Sequence, residues 1–213
     1  MTAGRKIISQ SQQWCTPRKY VTAIHDFFAG APDLDPCSNA NSIVEATTEY
    51  ILPRQDGLKE SWKFKKIYVN PPYGREKSSK SSIYDWLQRC HEAHAQNKSE
   101  VLALVPVATN TAHWKEFVFG QAAAVCFLAD TRLKFLVAGT EQNKGAPMSC
   151  CMIYWGKDLK RFQKVFAEFG AIVPVKEAYS AVQTHRTSIR TSPSISPRIL
   201  PRTATSSRNK NRV

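Results

Sequence analysis

The chain has 213 residues, of which 42% are hydrophobic, and a formal net charge of +13. This length fits one folded domain with a sizeable core plus appended segments. No apolar run approaches the roughly 20 residues needed to span a bilayer, so we expect no membrane partner. The charge favours a polyanionic partner. The last thirty residues hold seven Lys and Arg and no acid, so about half of the charge excess lies in this tail.

The N-terminal residues 1–13 are polar and predict a flexible arm without the apolar core of a secretory signal. The six cysteines lack the paired spacing of a zinc site, so we expect reduced thiols. His91 and His94 lie three residues apart beside Cys90, but no third ligand follows them. The sequence therefore predicts no metal site.

The first predicted helix has Thr16 as its N-cap and Pro17 as its first helical residue, and it runs to Phe28. The other elements predicted in the first half are a short strand and its turn at 33–37, a loop-rich stretch at 38–61 and a strand at 66–70. A polar, basic and Ser-rich loop is predicted at 74–82.

The second half alternates apolar runs with amphipathic segments. It predicts helices at 83–96 and 158–169, a helix or turn at 112–119, and strands at 101–105, 122–128, 148–155 and 171–175. From about Ala178 the chain is rich in Ser, Thr, Pro and Arg, which predicts disorder. We therefore expect an arm at 1–13, a three-layer α/β domain with a mostly parallel sheet at 14–177, and a basic tail at 178–213.

The most informative motif is Asn70-Pro71-Pro72-Tyr73, which directly follows the apolar strand Ile67-Tyr68-Val69. The Asn70 side chain and the Pro71 carbonyl offer two acceptors to a planar amino group, and such acceptors make its nitrogen more nucleophilic. The prolines stiffen the turn, and Tyr73 offers a face on which a base can stack. The pattern indicates methylation of an amino nitrogen.

Four segments carry a resemblance to a known family. The chain resembles the phage-type DNA adenine-N6 methyltransferases, a Dam-like family, in Trp14-Cys15-Thr16-Pro17, Leu34-Asp35-Pro36-Cys37, Asp56-Gly57-Leu58 with Trp62, and Asn70-Pro71-Pro72-Tyr73-Gly74. Later segments that also resemble it are Val105-Pro106, Thr109, Thr111 and Arg132-Leu133-Lys134-Phe135. The resemblance covers residues 14–155. It implies a compact Rossmann-like methyltransferase fold, S-adenosylmethionine as cofactor, double-stranded DNA as substrate, and the cytoplasm of a bacterium or a phage-infected host.

The candidate site residues fall into three groups. The catalytic group is Asn70, Pro71, Pro72 and Tyr73; the cofactor group, placed by the resemblance, is Thr16, Pro17, Asp35, Pro36 and Asp56; the DNA-binding group is Arg75, Lys77, Lys80, Arg132 and Lys134. Each acid and each base also has a simpler interpretation. Asp before Pro or Gly is common in turns, and a single Lys or Arg is often only a solvated surface charge.

Two departures from the family pattern stand out. No Gly-rich loop follows Asp35, and so few residues separate it from Lys66 that the cofactor pocket must be compact or unusual. The loop at 106–111 lacks the Arg and Asp that the family carries there. Two alternatives therefore stay open: a non-catalytic DNA-binding relative, and an amino methyltransferase acting on RNA or protein glutamine. Protection of phage DNA, restriction-modification and regulation are all compatible biological roles.

Overall fold

The computed structural model describes residues 14–73, 81–130, 132–143 and 145–180. The helices are α1 (Arg18–Phe28), α2 (Ile83–Asn97), α3 (Ala112–Phe117) and α4 (Leu159–Phe166), and residues 175–180 are also helical. The strands are β1 (Leu34–Ser38), β2 (Thr48–Ile51), β3 (Lys66–Val69), β4 (Glu100–Pro106), β5 (Ala124–Leu128), β6 (Leu136–Val137), β7 (Thr140–Glu141), β8 (Cys150–Trp155) and β9 (Gly170–Val173).

Seven strands form the central sheet in the order β2-β1-β3-β4-β8-β5-β9. The neighbours β2, β1, β3 and β4 are parallel, and β8 is antiparallel to both β4 and β5. Strand β9 pairs antiparallel with β5 at one edge of the sheet, and it overlaps the strand predicted at 171–175. Five of the seven strands therefore share one direction, which confirms the mostly parallel sheet.

Helices cover both faces of the sheet, which confirms the three-layer prediction. Side chains of α1 and α4 pack on one face, and those of α2 and α3 pack on the other. Strand β3 shows the period of two that separates the faces, since Tyr68 joins the α1 side whereas Ile67 and Val69 join the α2 side. Asn70 continues this alternation and falls on the face of Tyr68.

The first half of the sheet departs from the predicted alternation of strands and helices. Strand β2 lies inside the stretch predicted as loop, and the connections 39–47 and 52–65 contain no helix. Parallel neighbours usually need a longer crossover, so this half is unusually compact. Because β2 is a short, half-buried edge strand, its residues carry little of the apolar alternation that identifies strands. The small β6–β7 hairpin was also not predicted.

One predicted boundary needs correction. Helix α1 begins at Arg18 with Pro17 as its N-cap, and Thr16 does not cap it because its hydroxyl contacts other groups. The predicted end of the domain at 177 falls inside the helical segment at 175–180, where Tyr179 stacks on Phe119. The arm at 1–13 and the tail beyond 180 lie outside the described residues. No helix in the described ranges is long and apolar enough to cross a membrane.

Candidate functional site

The candidate site lies where the parallel strands β1 and β3 end. These strands are neighbours, with Leu34 opposite Ile67, so their carboxyl ends meet at one edge of the sheet. Asp35 and Pro36 are on β1, and Asn70 and Pro71 directly follow β3. The two segments therefore lie side by side at the edge where parallel α/β sheets bind ligands.

The Asn70 amide is held by its nitrogen. Nδ2 donates to the Trp14 carbonyl at 3.1 Å and to the Thr16 hydroxyl at 3.3 Å. A carbonyl oxygen can only accept, so the Trp14 contact fixes which end of the amide faces the protein. Oδ1 accepts no hydrogen bond from the described residues, and the side chain is half-buried. Asn70 thus keeps a free acceptor at the end of the strand.

Tyr73 lies in an aromatic cluster, which also contains Trp14 and Phe135. Its ring meets both edge-on, at 5.9 and 5.5 Å between centroids, while Trp14 and Phe135 stack at 4.9 Å. The Tyr73 hydroxyl donates to the Leu104 carbonyl at 3.1 Å. The Tyr73 side chain is buried in this arrangement, so a base reaches a face of its ring only if a neighbouring ring moves.

Asp35 is a buried carboxyl group, and the Cys37 N–H donates to its Oδ1 at 3.1 Å. Burial raises the pKa of Asp35 to about 7, the Cys37 N–H lowers it, and the charge of Glu49 on β2 raises it further. Among the described residues no Lys, Arg or His forms an ion pair with it. A buried carboxylate without a cation fits a site for a cationic guest.

A cavity of about 280 Å³ opens at the ends of β1 and β3, and neither Asp35 nor Asn70 lines it. Its wall includes Pro36 and Cys37 from β1, Asp56 and Gly57 from the following loop, and Pro72 from the motif after β3. Two predicted cofactor residues, Pro36 and Asp56, therefore line the same cavity as one predicted catalytic residue. The cavity leaves room for a flat, partly apolar group at the end of the sheet where Asn70 also lies.

Comparison with known families identifies the family of this chain. The family model described as DNA N-6-adenine-methyltransferase (Dam) matches residues 5–184. The chain belongs to the Dam family. No curated protein and no solved structure matches it. The family acts on adenine in DNA as a transferase, which agrees with the resemblance found in the motifs.

A second concave surface of the Dam-family fold is basic. It is a groove of about 520 Å³. Its cationic lining residues are Arg18, Lys19, Arg132 and Lys134. Two of them carry partners, because Lys19 pairs with Asp130 at 2.7 Å and Lys134 pairs with Glu141 at 3.3 Å. This groove adjoins the site, since Cys15 and Leu136 exchange backbone hydrogen bonds.

The predicted residues are distributed as follows. Arg132 and Lys134 lie in the groove, and Arg75, Lys77 and Lys80 lie outside the described residues. Pro17 is buried where α1 begins and lines the groove rather than the 280 Å³ cavity. No three His, Cys, Asp or Glu side chains within the described ranges lie close enough to share a metal ion.

The altered loop at 106–111 forms its own turn. The Thr111 hydroxyl donates to the Ala108 carbonyl at 2.6 Å, and the Thr111 N–H donates to the same carbonyl at 3.1 Å. The turn follows β4, which is parallel to β3, so it lies at the same edge as Asn70. This loop of the Dam-family chain therefore forms a hydrogen-bonded turn without the Arg and Asp that the family carries there.

Asp56 and Gly57 are held against β1 by a close backbone contact. A Cβ at Gly57 would lie 1.7 Å from the Pro36 carbonyl oxygen, and Trp62 Nε1 donates to the Gly57 carbonyl at 2.7 Å. Asp56 Oδ1 accepts from the Leu58 N–H at 3.2 Å, which is the turn contact considered in the sequence. Because Gly57 has no side chain, its backbone can lie against Pro36 at the cavity wall. In many methyltransferases a Gly-rich loop, which this chain lacks after Asp35, brings the backbone equally close to the cofactor.

We expect Gly57→Ala to push this turn away from Pro36. The clash is with backbone rather than a flexible side chain, so the unfolding free energy should fall by about 1–3 kcal/mol, measured by urea denaturation. Binding of S-adenosylhomocysteine should weaken as the cavity wall moves. Gly30→Ala is the control: Gly30 has φ +132° but nothing within 4 Å, so it should lose stability while binding stays unchanged. Equal binding in the two variants would contradict the role given to Gly57.

Several residues of the site were not predicted from the sequence. Trp14, Tyr68 and Phe135 contact the catalytic group or its neighbours, and Glu49 lies beside Asp35. A signal existed for Tyr68, because it precedes Asn70 by two positions in a strand and so shares its face. Trp14 and Phe135 belong to segments that resemble the family, but no local pattern predicts their contacts with each other and with Tyr73, because these residues are distant in sequence.

Proposed function

We propose that this protein transfers a methyl group from S-adenosylmethionine to the N6 amino group of adenine at specific sites in double-stranded DNA. The observation that carries the proposal is the Asn70 amide, whose nitrogen donates to Trp14 and Thr16 and whose oxygen accepts no hydrogen bond from the described part of the chain. The cavity at the same end of the sheet and the buried carboxyl group of Asp35 suit a cationic cofactor. The motifs that resemble phage-type enzymes support a role on phage or prophage DNA, including restriction-modification.

The residues present fit the proposed cofactor. Asp35 would accept from the ammonium of its methionine part, and Pro36, Asp56 and Pro72 would enclose its adenosine part. When bound, the cofactor supplies a methyl group on a sulfonium with a good leaving group. The buried carboxylate and the apolar wall together favour a molecule that is cationic at one end and flat at the other.

The chain itself orients the target amine. Asn70 Oδ1 and the Pro71 carbonyl would accept from the two hydrogens of N6, which raises the electron density on nitrogen as its bond to the methyl carbon forms. The bound cofactor would supply the methyl group and keep a neutral thioether, and the surplus proton of the amine held by Asn70 and Pro71 would pass to water. Asn70 has no role as a base because an amide does not take up that proton.

The target adenine must leave the duplex, at a cost of a few kcal/mol. Stacking on Tyr73 would return about 1–3 kcal/mol once Trp14 or Phe135 moves aside. The groove with Arg132 and Lys134 would hold the flanking phosphates. The basic loop with Arg75, Lys77 and Lys80 is proposed to bind further phosphates.

The groove assignment gives a salt-dependent prediction. We expect Arg132→Ala with Lys134→Ala to weaken DNA binding and to reduce the slope of log K against log salt by about 1 for each phosphate that the variant no longer binds, measured by fluorescence anisotropy. Lys157→Ala is the control, because Lys157 is exposed and follows β8 at the opposite edge of the sheet. An unchanged slope in the double variant would remove the groove from the DNA interface.

The proposed function is tested by incubating the protein with methyl-labelled S-adenosylmethionine and, separately, DNA, RNA and a protein extract. Label in DNA alone, found as N6-methyladenine, supports the proposal. Label in RNA or glutamine, or none in any substrate, would contradict it. Expression in a host without adenine methylation, followed by modification-sensitive sequencing, would identify the recognition site.

A further inference from the structure

One hydroxyl group joins Asn70 to the residue two positions before it. Tyr68 and Asn70 share a face at the end of β3, and the Thr16 hydroxyl contacts both, with Oγ1 at 2.7 Å from the Tyr68 hydroxyl and 3.3 Å from Asn70 Nδ2. Thr16 is only 2% exposed and Tyr68 is fully buried. The three side chains form a connected network beneath the free oxygen of Asn70.

The hydrogen-bonding capacity of these groups fixes the direction of the amide. Asn70 Nδ2 has two hydrogens, and they go to the Trp14 carbonyl and to Thr16 Oγ1. Burial raises the pKa of Tyr68 well above its ordinary value, so its hydroxyl stays protonated and able to donate to Thr16. With the nitrogen held at two points, Oδ1 can only face away from the protein.

We propose that Thr16 is a positioning residue for Asn70, supported by Tyr68, in place of the cofactor contact that the resemblance implies for Thr16. This inference rests on the proposed function, because it assigns the network the task of aiming Oδ1 at the target amine. The amide torsion of Asn is broad when unconstrained. A network that restricts it therefore supplies the preorganisation on which an acceptor of this kind depends.

The test compares Thr16→Val, which removes the hydroxyl and keeps the shape, with Thr16→Ser, which keeps the hydroxyl. We expect Thr16→Val to lower kcat about 10- to 100-fold, to leave the Kd of S-adenosylhomocysteine unchanged, and Thr16→Ser to restore most of kcat. Tyr68→Phe should show a smaller loss of the same kind. Thr22→Val is the matched control, since the exposed Thr22 hydroxyl donates to the Arg18 carbonyl of its own helix, α1.

Two further readouts separate the possible outcomes. In the Asn70→Ala background, Thr16→Val should cause no additional loss of kcat, because the amide that Thr16 positions is gone. In NMR spectra, the Asn70 side-chain amide protons should exchange faster with solvent in Thr16→Val than in the wild type. A weakened Kd with unchanged kcat would overturn the inference and favour the cofactor contact.

The NMR measurement does not depend on catalysis. If the wild type transfers no methyl group, the proposed function fails, yet the exchange rates still report whether Thr16 holds the amide. Equal amide exchange in wild type and Thr16→Val would overturn the inference even in an active enzyme. If Thr16→Val does not fold, kcat and amide exchange are compared between the wild type, Thr16→Ser and Tyr68→Phe instead.

Discussion

Replacing Asn70 with Ala should lower methyl transfer at least about 10²–10³-fold while cofactor binding stays nearly intact. The side-chain oxygen accepts no hydrogen bond from the described residues, and the Asn70 amide nitrogen bonds to Trp14 and Thr16 rather than to Asp35 or a residue that lines the cavity. Single-turnover incorporation of labelled methyl groups into DNA measures the loss, and calorimetry with S-adenosylhomocysteine measures binding.

The matched control for this change is Asn110→Ala. Asn110 is an exposed amide in the turn after β4, at the same edge of the sheet. It should keep full turnover. If Asn70→Ala retained turnover, the acceptor role would be refuted; if it lost turnover together with cofactor affinity, Asn70 would belong to the cofactor site instead.

The second large effect is expected from Asp35→Asn, which should stabilise the protein and weaken its cofactor binding. The buried carboxyl has a pKa of about 7, raised chiefly by burial from an ordinary 3.8. Ionising it above neutral pH costs on the order of 2–4 kcal/mol, and Asn avoids this cost. Asn also loses the charged contact to an ammonium group, so binding should fall about 10- to 100-fold.

The pH dependence has a definite sign. In the wild type without cofactor, the unfolded carboxylate ionises above its ordinary pKa while the folded one stays protonated until about pH 7. Its contribution to stability is therefore greatest at low pH and is lost as pH rises through this window. A cationic guest lowers the pKa of Asp35, so cofactor affinity should rise with pH and level off above about 7.

Urea denaturation checks the pH dependence of stability, and calorimetry checks the pH dependence of cofactor affinity. Both are measured between about pH 5.5 and 8, a range that spans the pKa of Asp35. Asp26→Asn is the control, because Asp26 is exposed on α1. It should change neither the stability profile nor the affinity. If Asp35→Asn bound the cofactor as tightly as the wild type, Asp35 would have no place in the pocket.

Local patterns predicted most of the fold. Helices α1, α2 and α4 have apolar residues at helical spacing, and the continuous apolar run of β4 marks a buried strand. The β2 strand and the β6–β7 hairpin escaped prediction because both are short and partly exposed. The placement of β8 between β4 and β5 is a property of the whole sheet, and no window of sequence encodes it.

The candidate site shows the same division. Asn70 was predicted because a polar residue at the end of an apolar strand is a local signal, whereas Asp35 was placed by the resemblance of its segment to the family. The contact of Thr16 with Asn70 was not predicted, because a Thr before Pro at the start of a helix also fits an N-cap. Its real partners, Tyr68 and Asn70, are more than fifty positions away, and only the folded chain brings them together.

The pairing of Cys15 with Leu136 has a consequence for biosynthesis. Their two backbone hydrogen bonds, at 2.8 and 3.0 Å, tie the segment before α1 to a strand made much later by the ribosome. A nascent chain can therefore form β1, β2 and β3 before this tie exists. Contacts between residues so distant in sequence form slowly, so the segment holding Asn70 in place should be among the last parts of the protein to order.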